Sequence, residues 1–292
     1  MYPYTIIMNN NKYLQRRQYL TAVFEDTMLI LNSDMNPEQE NILKSIKNQI
    51  FISHNQSIIL PKPTKKQKLE VHVSGMRTME AAQQYVQKEK HVAVLNFASA
   101  TQPGGGVRNG SSAQEECLCR VSTLLPCLES EMPHKMFYGP HRKSSSPLHN
   151  DDLIYTRDVI VFKDDEYKLL DKMFRVDVIT CAAPNLRENP SNAYNPNEGQ
   201  PVKINPNELM NIHISRARKI LAAAALNQAE VVILGAFGCG AFRNPPEIVA
   251  TAYQKVLEEF HGYFDCIEFA VYCRPGDSRN YDAFKSVLGW CQ

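Results

Sequence analysis

Residues 92–120, VAVLNFASATQPGGGVRNGSSAQEECLCR, decide the fold. The run VAVLNF at 92–97 is apolar without alternation, as expected of a strand covered on both faces. A turn with glycines at 104, 105 and 106 follows, where no side chain restricts the backbone. Ser111 or Ser112 can then cap a helix that starts at the QEE of 114–116 and runs on through ECLCRVSTLL. Strand, glycine turn and helix in that order predict an α/β protein whose ligands gather at the carboxyl ends of its strands.

The same alternation continues on either side. Short apolar runs at 69–73, 159–162, 176–181, 231–235 and 267–272 are separated by helical patterns at 79–88, 207–227 and 245–260. Together they predict a three-layer α/β/α core around a mixed sheet. Upstream, Leu14, Tyr19, Leu20, Val23, Phe24, Met28 and Leu31 recur as one helix face, and a second helical stretch follows Pro37 through EQENILKSIKNQIFIS. LPKPTKKQK at 60–68 reads as a solvated connector, so the expected organisation is a helical extension over 1–68 packed on a core over 69–292. Stretches 128–152 and 185–206 are poor in apolar residues and are expected to be long loops.

Charge and composition narrow the function classes. With 32 Lys and Arg against 31 Asp and Glu, the net charge of +1 calls for neither nucleic acid nor a membrane surface, so recognition of a charged ligand must be local. The eight cysteines, without a recognisable secretory leader, fit reduced, buried and inert thiols, no disulfides and a cytoplasmic protein. No apolar run approaches the roughly 18–20 residues of a membrane span. The eight histidines form no H-x-x-x-H or Cys/His cluster, so no metal is expected; His134, His141 and His149 fall in one polar loop.

The site candidates lie in the loops after Asn96, Cys181 and Gly235. Gly104, Gly105 and Gly106 can turn bare amides toward an anion or be a plain flexible turn. LGAFGCGAFRNPP at 234–246, with Gly235, Gly238 and Gly240 ahead of Pro245 and Pro246, is a second such turn opening a helix. It is neither a P-loop nor a Rossmann fingerprint. Two anion turns facing one crevice suggest a diphosphate. Glu115 and Glu116 are either ordinary first-turn acids or, beside a diphosphate, groups for acid/base or ribose-hydroxyl chemistry. Helix neighbours do not share a face, so they are not expected to flank one bond as a glycosidase pair does.

PGGG followed after seven intervening residues by QEE, with NFASA before it and CAAPN (181–185) and GAFGCGAFRNPP after it, resembles the microbial-type poly(ADP-ribose) glycohydrolases over about residues 16–288. The resemblance implies a macrodomain with an N-terminal helical extension, and no cofactor. It implies that Gly104, Gly105 and Gly106 hold the diphosphate of a terminal ADP-ribose, with Gly238, Cys239, Gly240 and Ala241 closing over its other side. Glu116 would be the catalytic acid and then base, Glu115 would bind hydroxyls at the ribose–ribose bond and Gln114 would support them. Phe242 would pack on the terminal unit and favour cleavage at chain ends; Asn96 would contact the terminal ribose. The implied partners are poly(ADP-ribose) or ADP-ribosylated proteins as substrate and ADP-ribose as product. A hydrolase of single ADP-ribose units on protein or DNA and a non-catalytic ADP-ribose reader are the alternatives, and the expected location is cytoplasmic, or nuclear in a eukaryote.

Overall fold

The computed structural model describes residues 3–33, 38–144, 146–191, 199–274 and 276–289. Seven strands form one sheet: β1 (Ile50–Ile52), β2 (Glu70–Ser74), β3 (Val92–Ala98), β4 (Leu153–Lys163), β5 (Leu169–Ala182), β6 (Val231–Leu234) and β7 (Cys266–Ala270). Their order is β1-β4-β5-β3-β6-β7-β2. Pairing is antiparallel for β1 with β4 and β4 with β5, and parallel from β5 through β3, β6 and β7 to β2.

The central strand shows why its sequence does not alternate. Ala93 and Leu95 join the apolar cluster on one face of the sheet, whereas Val92 and Val94 join the cluster on the other. Each face is roofed by helices, so every β3 position but the partly buried Phe97 is buried, and each large apolar side chain there contributes roughly 1.5–3 kcal/mol. One layer holds α8 (Pro206–Leu226), α9 (Pro246–Leu257) and α10 (Arg279–Leu288). The other holds α1 (Pro3–Leu31), α3 (Thr78–Val86), α4 (Gln114–Val121) and α5 (Leu124–Leu128), with α2 (Gln39–Lys47) beside β4. Helix α8 starts where Asn205 accepts the Glu208 N–H at 2.9 Å and Pro206 takes the first turn. Among the described residues no helix is long and apolar enough to cross a membrane.

Several elements depart from expectation. IFIS does not prolong α2: Ile50–Ile52 is an edge strand on β4, as its β-branched, extended character favours once α2 has stopped at Lys47. The stretch expected as a loop at 128–152 folds into α6 (Glu131–Pro133), a π-turn at His134–Tyr138 and α7 (Gly139–Lys143). Three inward side chains there, Phe137, Tyr138 and His141, anchor it to the core. Helix α4 ends at Val121, because Ser122 turns extended to bridge Val161, and Ala113 rather than a serine holds its cap position without a side-chain bond. Helix α10, largely polar in sequence, was not anticipated. Cys117 and Cys273 are only partly buried, unlike the other described cysteines; Pro37, Cys291 and residues 192–198 of the second expected loop lie outside the described residues.

Candidate active site

The site is assembled where β3 hands over to α4. The Gln114 side chain straps the two together: its Oε1 accepts the Phe97 N–H at 2.9 Å, and its Nε2 donates to the Leu95 carbonyl at 2.7 Å and to Thr78 Oγ1 at 3.1 Å. With the helix so registered, Glu115 Oε2 accepts the Ser99 N–H at 2.7 Å, and its Oε1 accepts from Asn96 Nδ2 at 3.4 Å. Glu116 Oε1 accepts the Gly106 N–H at 2.9 Å. Its other oxygen, Oε2, is buried and has no hydrogen-bond partner among the described residues.

Both carboxylates sit in the wall of one crevice, and no cation pairs with either among the described residues. Burial raises the pKa of Glu116 above the ordinary carboxylate value. Glu115 is raised well above it by burial first and by the charge of Glu116 second, with the surrounding N–H donors opposing only in part. A Cβ on Gly105 would lie 2.6 Å from Glu116 Oε1 and 3.2 Å from Glu115 Oε2. The two acids therefore converge on one point despite being helix neighbours, because both side chains reach back over the glycine turn. Gly105 is what makes room for them, at φ +56°.

This closeness changes the role of the first turn. Two of the three amides expected to be free for an anion are spent: Gly105 N–H donates to the Gln102 carbonyl at 2.9 Å and Gly106 N–H donates to Glu116 Oε1 at 2.9 Å. Gly104 lies against Leu125 instead of the crevice, and Asn96 is fully buried behind Glu115, so neither lines the cavity. The second turn is built differently. Buried Asn244 braces it, with Nδ2 donating to the Pro184 carbonyl at 2.7 Å and the Gly238 carbonyl at 3.0 Å. His213 Nε2 meets Asn244 Oδ1 at 2.9 Å, its ring kept neutral by burial that lowers its pKa to about 4. Among the described residues nothing accepts from the N–H groups of Gly240, Ala241 and Phe242, so this turn has amides to offer an anion.

The cavity measures about 750 Å³, within the range of small-molecule sites. Gly105, Gly106, Gln114, Glu115, Glu116, Gly238, Cys239, Gly240, Ala241 and Phe242 line it. So do residues with no local sequence signal: Arg16 and Arg17 of α1, and Arg77, Arg187, Arg274 and Arg279 from separate segments. Arg187 lies over the Phe242 ring at 5.6 Å and Arg77 over the Tyr272 ring at 4.5 Å. His141 and His149 are not solvated; His149 Nδ1 meets the Ala183 carbonyl at 2.8 Å and its ring packs 6.1 Å from Phe242, supporting that wall from behind. One group of possible metal ligands occurs among the described residues, Glu70, His72 and Cys266, at the far edge of the sheet. A near-neutral chain thus presents a basic, aromatic crevice with two unneutralised acids at its floor, an arrangement suited to acid/base chemistry on a polyanion.

Known proteins share this fold. The profile of the microbial-type PARG catalytic domain matches residues 14–164. The structure of poly(ADP-ribose) glycohydrolase from Thermomonospora curvata is 30% identical, with a TM-score of 0.83 over 93% of this chain and 100% of that one. The same enzyme bound to the inhibitor ADP-HPD superposes with a TM-score of 0.79 at 30% identity, covering 92% of this chain and 99% of that one. The Deinococcus radiodurans enzyme in complex with ADP-ribose gives 0.74 at 30% identity, over 86% of this chain and 98% of that one. No curated protein matches. By profile and by structure, the chain belongs to the microbial-type poly(ADP-ribose) glycohydrolase family.

Proposed function

We propose that the chain is a poly(ADP-ribose) glycohydrolase that cuts the ribose–ribose bond with Glu116 as acid and then as base. The observation that carries this is the unpartnered, buried Oε2 of Glu116 on a carboxyl group whose burial favours the protonated form. In the first step that oxygen gives its proton to the leaving 2′ oxygen as the C1″–O bond breaks and positive charge develops at C1″. A water then attacks C1″ and returns a proton to the Glu116 carboxylate. Glu115, held by Ser99 and Asn96, keeps lone pairs for the hydroxyls beside the bond.

The diphosphate of the terminal unit is assigned to the amides of Gly240, Ala241 and Phe242, with Gly238 and Cys239 shaping the turn, instead of to the first glycine turn. Phe242, backed by His149 and covered by Arg187, packs on that unit and favours release from chain ends. Gln114 and Asn96 act behind the glutamates. The test is release of ADP-ribose from automodified poly(ADP-ribose), with ADP-ribose binding followed by calorimetry. Liberated monomer is the expected result; binding without release reduces the protein to a reader.

A further inference from the structure

We propose that the middle of α1, through Tyr13 and Arg16, forms a subsite for the ADP-ribose unit on the leaving side of the scissile bond. This rests on the glycohydrolase function proposed above. The geometry begins with the two layers. The anion turn belongs to one face of the sheet: Phe237 and Cys239 are in its apolar cluster, and Phe242 packs on it. Helix α1 belongs to the other face, where Phe24 shares a cluster with Val107 and Leu118. The glutamates stand between, at the end of β3. A substrate with its terminal diphosphate on the turn and its glycosidic bond over Glu116 therefore continues toward α1.

Helix α1 is fixed to that side of the site. Arg17 donates to the Asn109 carbonyl through Nε at 2.9 Å and Nη2 at 2.7 Å. Gly110, at φ +70°, lies so close that a Cβ there would collide with the Arg17 carbonyl. Arg120, one helical turn beyond Glu116, donates through Nε to the Leu20 carbonyl at 3.1 Å. On this rigid seat, the Arg17 guanidinium packs 5.8 Å from the Tyr13 ring centre, while the ring stays 59% exposed within the cavity wall. Arg16 lines the same wall, exposed and without an ion-pair partner among the described residues. An exposed tyrosine face with an adjacent uncommitted guanidinium suits an adenine base followed by a diphosphate.

The test compares two substrates differing only in the leaving group: poly(ADP-ribose), and ADP-ribose carrying an aryl group at C1″. For the Tyr13→Ala/Arg16→Ala double variant, the ratio of kcat/KM on polymer to kcat/KM on the aryl glycoside is expected to fall about tenfold, the scale of one lost base stack. Tyr13→Phe with Arg16→Lys is expected to restore most of that ratio, and the deficit to shrink at high salt as the wild type loses its charge contact. An unchanged ratio, or equal losses on both substrates, overturns the subsite. Wild type that turns over the aryl glycoside but leaves polymer intact overturns the function beneath it instead, so the two failures are distinguishable.

Discussion

The two ends of the sheet treat acids in opposite ways. At the carboxyl end, Glu115 and Glu116 are buried without a cation and their pKa values are raised. At the amino end, Glu230 accepts the His91 N–H at 3.0 Å and pairs with Lys65 at 3.3 Å and Lys90 at 3.2 Å; the backbone bond first and the lysines second lower its pKa. Asp265 is lowered too, because Lys90 and Lys65 outweigh its burial. The lower cluster is what a fold does with acids when stability alone is served. Its upper counterpart holds acids against their preferred charge in the crevice wall, where the proposed chemistry would use them.

The largest effect follows from removing that charge without changing shape. Glu116→Gln keeps an oxygen for the Gly106 N–H and puts an amide where Oε2 has no partner. Polymer cleavage should fall about 1,000-fold with ADP-ribose binding retained, as loss of a general acid implies. The same variant should melt about 2–4 °C above wild type at pH 7. The sign follows from the raised pKa: the folded state holds the proton more tightly, so the wild type loses stability as pH rises above the unfolded carboxylate value. Near pH 4 the two proteins should converge. A Glu116→Gln variant that melts lower than wild type at pH 7 breaks the contrast between the two ends.

Second in size is Gly105→Ala. Its Cβ would press on Glu116 Oε1 at 2.6 Å, in a backbone conformation with φ +56° that alanine resists. Displacing the carboxylate by a fraction of an ångström to an ångström should lower kcat about 100-fold. The left-handed conformation adds a stability loss of about 1–2 kcal/mol. Chemical denaturation and steady-state rates on polymer measure both, and an active Gly105→Ala would show that the two acids need no room there.

The cluster of acids at the end of β3 was legible in the sequence because its signal is local. Gly105, Gln114, Glu115 and Glu116 lie within a dozen residues, and their types and spacing survive in a string. Strands buried on both faces were readable for the same reason, since apolar runs such as 92–97 carry their own signal. What the sequence did not show depended on partners distant in the chain. Which glycine turn keeps free amides was decided in part by where the Glu116 side chain folds back, and composition could not separate two glycine-rich turns. Asn96 sits at a strand end in sequence but behind Glu115 in space. The arginine rim comes from segments as far apart as Arg16 and Arg279, each ordinary by itself. Phe137, Tyr138 and His141 anchor a segment whose composition reads as loop.

The smallest effect sharpens the comparison most directly. Glu230→Gln removes a carboxylate that two lysines and a backbone N–H already satisfy, at a partly exposed site, so it should destabilise by about 0.5–1 kcal/mol and leave polymer cleavage unchanged. The loss should shrink in high salt, which screens the lysines. Its pH dependence runs opposite to that of Glu116→Gln. Because the folded pKa of Glu230 is lowered, its contribution is present above the unfolded carboxylate value and disappears as pH falls through the folded one. Thermal melts of both variants from pH 4 to 8 should therefore diverge with rising pH, Glu116→Gln moving above wild type and Glu230→Gln below. Parallel curves would mean that the two clusters of acids are held by the same forces, and the carboxylates at the end of β3 would lose their claim to a stored cost.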